Sequence, residues 1–196
     1  MPPPIRSFFD PKHVWRERMK ITRRAAADKR PDAARHAARV FLDAIPIDDN
    51  AIVALYHPIR DELDTEPLAA ELIGRGIAIA LPVAARKPAP LVFRAYAPGD
   101  ELKRGAFGEM VPSEDAAAVT PHIIVAPLLG YTRRGDRLGY GGGYYDRTLA
   151  ALRAESAFLA VGYAFADQEV DALPVSPLDH RLDWIVTERG AMRCAP

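Results

Sequence analysis

A single cysteine, Cys194, is all the thiol the chain carries. It has no partner for an internal disulfide, so the composition suits a reducing compartment and the expected location is the cytoplasm. No run approaches the roughly eighteen or more apolar residues of a membrane span, and no membrane partner is expected. The start, Met1-Pro2-Pro3-Pro4, lacks the charged-then-apolar plan of a secretory signal, so no targeting segment is expected either. Net charge is also missing: 26 basic residues balance 26 acidic ones, which excludes a general nucleic-acid binder that depends on a basic excess. His13, His36, His57, His122 and His180 show no metal-ligand spacing, so a zinc site is excluded. There is no Gly-x-Ser-x-Gly elbow, and Cys194 near a chain end is a poor catalytic thiol. What chemistry remains is electrostatic and positional.

The 196 residues fit one domain, residues 1–196, with residues 1–9 a loose, proline-rich arm. From Pro11 the chain turns helical. Lys12, Arg16, Lys20 and Arg24 recur every four residues, with Trp15, Met19, Thr22 and Ala26 on a neighbouring face. A second helix is expected from Asp32, as N-cap, to Leu42, stopped by Pro46. Short apolar runs at residues 51–57, 77–82, 91–96, 122–130, 158–162 and 184–187 read as strands, that at 91–96 nearer an edge. Between them lie helices at 65–74, ending on Gly74, and from Tyr144 to Leu152. Alternating strands and helices predict a three-layer α/β/α sandwich with a largely parallel, Rossmann-like central sheet, whose ligands sit outside the carboxyl ends of the strands.

What the sequence does have is concentrated in Arg137-Leu138-Gly139-Tyr140-Gly141-Gly142-Gly143-Tyr144-Tyr145-Asp146-Arg147. This is four glycines, three tyrosines, an aspartate and two arginines in eleven residues, set between a strand and a helix. Glycine lets backbone amides approach and converge on an oxyanion, and helix N-terminal amides favour negative charge. Arginine forks pair bidentately with phosphate. The segment ends in no Gly-Lys-Ser/Thr and lacks the third glycine of the dinucleotide pattern, so it is neither common nucleotide fingerprint.

Other candidates stay open on the residues alone. Asp146 is either a carboxylate favouring a helix N-terminus or a magnesium ligand held with substrate phosphates. Asp183, before the last apolar run, is a turn residue or a second carboxylate, and Asp179 competes with it. The basic stripe of the first helix is a solvated face, or else Lys12 and Arg16 fold over the glycine loop. Glu62 is a surface charge, a helix-end carboxylate, or an acceptor for the N–H and amino groups of a polar heterocycle. Glu62, the glycine loop and Asp183 all lie near strand ends and can share one crevice.

With these residues in view, the chain resembles the 5-formyltetrahydrofolate cyclo-ligase (methenyltetrahydrofolate synthetase) family over nearly its whole length. Beyond the glycine loop, the resemblance rests on Lys12-x-x-x-Arg16, Leu91 to Arg94 with Pro98 to Leu102, Gly105 to Gly108, and Pro112. It continues through Val161 to Gln168, Leu173-Pro174, and Asp179 to Glu188. It departs at Trp15, where leucine is commoner, and at Met110-Val111, where Glu-Pro is usual. The resemblance implies ATP- and Mg²⁺-dependent conversion of 5-formyltetrahydrofolate to 5,10-methenyltetrahydrofolate, with release of ADP and phosphate. The partners are then two small molecules, reduced folate and ATP, and a monomer is expected, with a dimer as the alternative. By the same resemblance Lys12 and Arg16 contact ATP, together with Arg137, Leu138, Gly139, Tyr140, Gly141, Gly142, Gly143, Tyr144 and Tyr145. Tyr56, His57 and Glu62 bind the folate with Gly141 to Tyr145. Arg137, Tyr144, Tyr145 and Arg147 serve the reacting groups, and Asp146 and Asp183 hold magnesium.

Overall fold

The computed structural model describes residues 11–84 and 88–195. The proline-rich arm and part of the Lys/Arg/Pro-rich loop near residue 86 lie outside that range. Pro11 opens helix α1 (Pro11–Lys29), where a missing N–H costs nothing. The face it buries carries Met19, Arg23 and Ala26. Helix α2 (Ala33–Ala44) ends on Ile45, which is driven extended by Pro46. Asp32 stands at its N-cap position but does not cap it: its carboxylate makes no bond to the first-turn amides and pairs instead with the exposed Arg35. The expected capping role is therefore corrected.

Strand β1 (Ile52–Ala54) leads through helix α3 (Glu66–Gly74) to β2 (Ala78–Val83), then β3 (Val92–Tyr96). Gly76, at φ 77°, supplies the left-handed turn after α3, while Gly74 remains helical. Two ribbons follow that strand periodicity cannot reveal: β4 (Leu102–Arg104) with β5 (Met110–Pro112), and β7 (Gly130–Tyr131) with β8 (Arg137–Leu138). Between them lies β6 (Ile123–Ala126), which stops at Pro127 because proline cannot continue the ladder. The apolar run at 122–130 is thus a core strand followed by a second, separate pairing. Helix α4 (Tyr144–Glu155), β9 (Leu159–Tyr163), a 3₁₀ turn (Ala166–Gln168), β10 (Trp184–Thr187) and β11 (Gly190–Arg193) complete the chain.

The main sheet has the order β11-β10-β9-β6-β1-β2-β3. The five inner strands are parallel, and β3 and β11 pair antiparallel at the two edges. Alternate residues face opposite layers. Val53, Ile79, Ile123, Val125, Val161 and Val186 pack with Phe41 of α2 and Leu68 and Leu72 of α3. Ala54, Ala80, Ile124, Ala126, Ala160 and Ile185 pack with Leu149 of α4. The expected three layers and largely parallel sheet are present. Among the described residues no helix is long and apolar enough to cross a membrane.

Strand order reverses between β1, which neighbours β2, and β6, which the chain reaches only after returning past β1. At such a point the carboxyl-end loops diverge and leave a crevice. The segment that leads from β6 into β7 hangs on Gln168, which is fully buried: its amide donates to the carbonyls of Leu128 (2.8 Å) and Leu129 (3.0 Å), and its oxygen accepts from the Phe165 N–H (2.8 Å). Gln168→Ala strands these buried groups and is expected to cost about 2–4 kcal/mol of unfolding free energy, read as a lower urea midpoint. An unchanged midpoint contradicts this account of the loop.

Candidate active site

The crevice at the switch point is a cavity of about 950 Å³ walled by α1, the loop after β1, the glycine loop and the start of α4. Further lining comes from the β4–β5 hairpin, residues 176–180, and Pro82, Ala84, Leu91 and Pro127 beside the ends of β2, β3 and β6. Lys12, Arg16, Tyr56, His57, Glu62 and every residue from Arg137 to Arg147 line it together. The sequence expectations for these residues thus converge on one place.

The glycine loop begins on β8, so Arg137 is held by strand pairing to Tyr131, and Leu138 is buried against Met19 and Leu129. Gly141 has φ 103° and Gly143 φ 67°, backbone that side chains other than glycine's rarely adopt. The missing side chains also make room. A Cβ on Gly141 would stand 3.1 Å from the Arg16 guanidinium carbon, and one on Gly143 would stand 2.7 Å from Arg147 Nη1. Arg16 Nε donates to the Gly139 carbonyl (3.1 Å) and Arg147 Nη2 to that of Gly142 (2.7 Å). Arg147 also lies over the Tyr144 ring, 5.1 Å from its centre, as Arg137 lies over Tyr145 at 5.3 Å. Arg137 Nη2 donates to Asp146 Oδ1 at 2.9 Å, and the His180 N–H reaches the same oxygen at 3.3 Å. The Nε groups of Arg137 and Arg147 are buried with no hydrogen-bond partner among the described residues. Lys12 Nζ donates to Asp179 Oδ1 at 2.8 Å across the rim. Cations from α1, β8 and α4 thus crowd one loop, which is the arrangement a multiply charged anion satisfies.

The opposite wall follows β1. The Tyr56 hydroxyl donates to the Leu63 carbonyl (2.5 Å) and Thr65 Oγ1 to the Tyr56 carbonyl (2.6 Å), closing the loop on itself. Glu62 Oε2 accepts from the Ile59 N–H at 2.9 Å. Burial pushes the Glu62 carboxyl up to about 7, against the downward pull of that N–H and of Arg23. Beside it His57 Nδ1 is buried without a partner among the described residues. On the third side, Phe107 of the hairpin meets Tyr144 edge-on at 5.4 Å, and Met110 lines the same rim.

Asp183 is the exception and its expected place is corrected. It precedes β10, at the amino end of a parallel strand, on the rim of the sheet opposite the crevice. There its Oδ2 accepts from the Ala160 N–H (2.7 Å) and its Oδ1 lies 3.4 Å from Arg153. Asp179, its competitor in the sequence, is the aspartate that reaches the cavity. The sequence reading missed Arg23. It is only 1% exposed, yet it salt-bridges Asp61 at 3.1 Å behind the Glu62 wall. Its position four residues after Met19, on the buried stripe and not the basic one, was the available signal. Burial also pushes the Cys194 thiol up to about 11, away from the ionised form in which a thiol is nucleophilic.

Fold and crevice together define an α/β protein with an anion cradle at its topological switch point. A family model described as the 5-formyltetrahydrofolate cyclo-ligase family matches residues 10–188. The curated 5-formyltetrahydrofolate cyclo-ligase of Escherichia coli (strain K12) is 33% identical over 165 residues, covering 82% of this chain and 90% of the relative. That of Mycolicibacterium smegmatis is 31% identical over 173 residues, covering 81% and 86%. Among solved structures, the 5,10-methenyltetrahydrofolate synthetase of Aquifex aeolicus is similar with a TM-score of 0.70 at 28% identity, covering 91% of this chain and 93% of that one. The chain is an enzyme of the 5-formyltetrahydrofolate cyclo-ligase family.

The loop geometry carries its own prediction. Gly141→Ala forces a side chain into backbone that costs about 1–3 kcal/mol, and turnover is expected to fall by roughly tenfold to a hundredfold. The same strain should lower the melting temperature by about 2–4 °C per kcal/mol, leaving the chain folded at assay temperature. Full activity in this variant contradicts the close packing of Arg16 on the loop.

Proposed function

We propose that the crevice binds ATP on the glycine loop and 5-formyltetrahydrofolate against the Glu62 wall, and joins them to make 5,10-methenyltetrahydrofolate, ADP and phosphate. The observation that carries this reading is the meeting of a cation-lined glycine loop with a buried carboxylate wall in one cavity of about 950 Å³, large enough for two ligands side by side. A formamide is a poor electrophile. Attack of its oxygen on the γ-phosphorus releases ADP and turns that oxygen into a leaving group. N10 then bonds to the formyl carbon and gives up its proton, and phosphate departs with the oxygen. No protein nucleophile is needed, only alignment and charge neutralisation.

Arg16, Arg137 and Arg147 are placed to neutralise the phosphates, with Lys12 at the rim. Burial, with Glu62 nearby, raises the Tyr145 phenol, so it stays protonated and can act as a neutral donor. Tyr144, under Arg147 and against Phe107, borders the space between the two ligands. Glu62 accepts hydrogen bonds from the pterin, with Tyr56 shaping the wall behind it and His57 Nδ1 offering a further polar atom. Magnesium fits the donor set: a Mg²⁺ bound with phosphates needs only one or two protein carboxylates. Among the described residues no cluster of three acidic, histidine or cysteine side chains exists to hold a metal alone. Asp146, partly exposed to the cavity at 24%, is the carboxylate in position. Bound there, the ion would neutralise phosphate charge. The same reading has the enzyme act as a monomer on two small molecules in the cytoplasm.

The ultraviolet absorbance of the methenyl product, followed with purified protein, 5-formyltetrahydrofolate, ATP and Mg²⁺, tests the reading. Product should appear only when all are present; its absence, with both ligands bound, leaves a binding protein and not an enzyme of this reaction. Asp146→Asn should lower turnover by about 10²-fold, the scale of losing one preorganised charge-stabilising group, and raise the Mg²⁺ requirement. Wild-type activity removes Asp146 from the metal site. Glu62 must be ionised to accept the pterin's hydrogens, and its carboxyl sits near 7. The folate KM is therefore expected to be flat above that pH and to rise about tenfold per unit below it, and Glu62→Gln should abolish the dependence. A wild-type KM constant from pH 8 to 5.5 contradicts the role.

A further inference from the structure

Arg23 lines no part of the cavity yet touches both of its working walls. Its Nε and Nη2 donate to the Asp61 carboxylate at 3.1 and 3.2 Å, one residue before Glu62. Nη2 also donates to the hydroxyl of Tyr140, on the glycine loop, and the guanidinium lies 5.4 Å from that ring's centre. The last nitrogen, Nη1, stands 3.6 Å from Glu62 Oε1, beyond hydrogen-bond reach, and is buried with no partner among the described residues.

A fully buried arginine with an unmade hydrogen bond is costly. Asp61 alone would match its charge, so charge balance does not explain the reach to Tyr140 or the aim at Glu62. Asp61 anchors one edge of the guanidinium, while the Tyr140 hydroxyl accepts from Nη2 and also lies against the Glu62 carboxylate, so Tyr140 and Arg23 stand together between the loop and the wall. Tyr140 is carried by the loop that the phosphates would occupy, and it is 36% exposed at the cavity edge. Any adjustment of the loop around an anion therefore moves the hydroxyl that Arg23 holds. The guanidinium is a single rigid plane, so motion at Nη2 is passed to Nη1 and to Glu62.

We propose that Arg23 is a positioning residue that links the glycine loop to the Glu62 wall through Tyr140, so that a nucleotide on the loop tightens binding of the folate. This rests on the assignment of the two walls to ATP and folate given above. It adds that their binding is cooperative and names the side chain that transmits it. By linkage the effect is reciprocal: folate tightens the nucleotide by the same factor.

Equilibrium binding of 5-formyltetrahydrofolate, measured with and without the β,γ-imido analogue of ATP plus Mg²⁺, tests the link. In the wild type the analogue is expected to tighten folate about fivefold or more, the lower end of common coupling factors. Tyr140→Phe should lose that enhancement even at analogue concentrations that saturate its own binding, read by titrating the analogue alone. Arg23→Met should lose it as well and bind folate more weakly, and Arg23→Lys should restore part of the folate affinity but not the link to Tyr140. A merely structural role for Arg23 would lower the melting temperature and leave the enhancement factor intact. Should Arg23→Met not fold, the exposed Tyr140→Phe still decides. Full enhancement in Tyr140→Phe, or none in the wild type, overturns the link while the assignment of the walls stands. A wild type that binds no folate overturns both.

Discussion

Several positive charges must be held close together around one loop. Arg16, Arg137, Arg147 and Lys12 face one cavity, and in a partly buried setting like charges a few ångströms apart repel by several kcal/mol. The crevice offsets this by giving each cation a local partner: the Gly139 carbonyl for Arg16, Asp146 for Arg137, the Gly142 carbonyl for Arg147, and Asp179 for Lys12. The loop glycines are required because those carbonyls accept only if the guanidinium groups can lie against bare backbone. A chain with no net charge thus gathers four cations around one loop, each beside its own local acceptor.

The rest of the fold exists to keep these partners in register. The switch point between β1 and β6 opens the crevice, β8 pins Arg137, and Gln168 fixes the segment that leads to it. Thr148 Oγ1, bonded to the Leu91 N–H at 2.8 Å, ties the first turns of α4 to the start of β3. Buried Arg23 then fastens α1 to both walls. Every cation therefore sits on a rigid element, which suits the reaction proposed above, one that asks for alignment and not for a nucleophile.

Much of this was legible in the sequence because the signals were chemical or periodic. Short apolar runs marked all the inner strands, and the eleven residues from Arg137 to Arg147, singled out by their glycines and arginines, all lie on the wall of one cavity. What escaped had physical reasons. Ribbons of two or three residues, such as β7 and β8, have no periodicity to detect. Arg23 hid because a buried arginine looks like one more member of a basic helix. Asp183 was misplaced although the clue was present: a residue that precedes a parallel strand stands at the opposite end of the sheet from a loop that follows one. Asp32 lost its cap because an exposed arginine three residues on competes for the carboxylate.

The central claim is that ATP activates the formyl oxygen itself, and the fate of that oxygen tests it most directly. With 5-formyltetrahydrofolate carrying ¹⁸O in the formyl group, a single turnover analysed by mass spectrometry should deliver the label into inorganic phosphate, one ¹⁸O for each methenyl product. Label recovered in water, with unlabelled phosphate, would contradict the account.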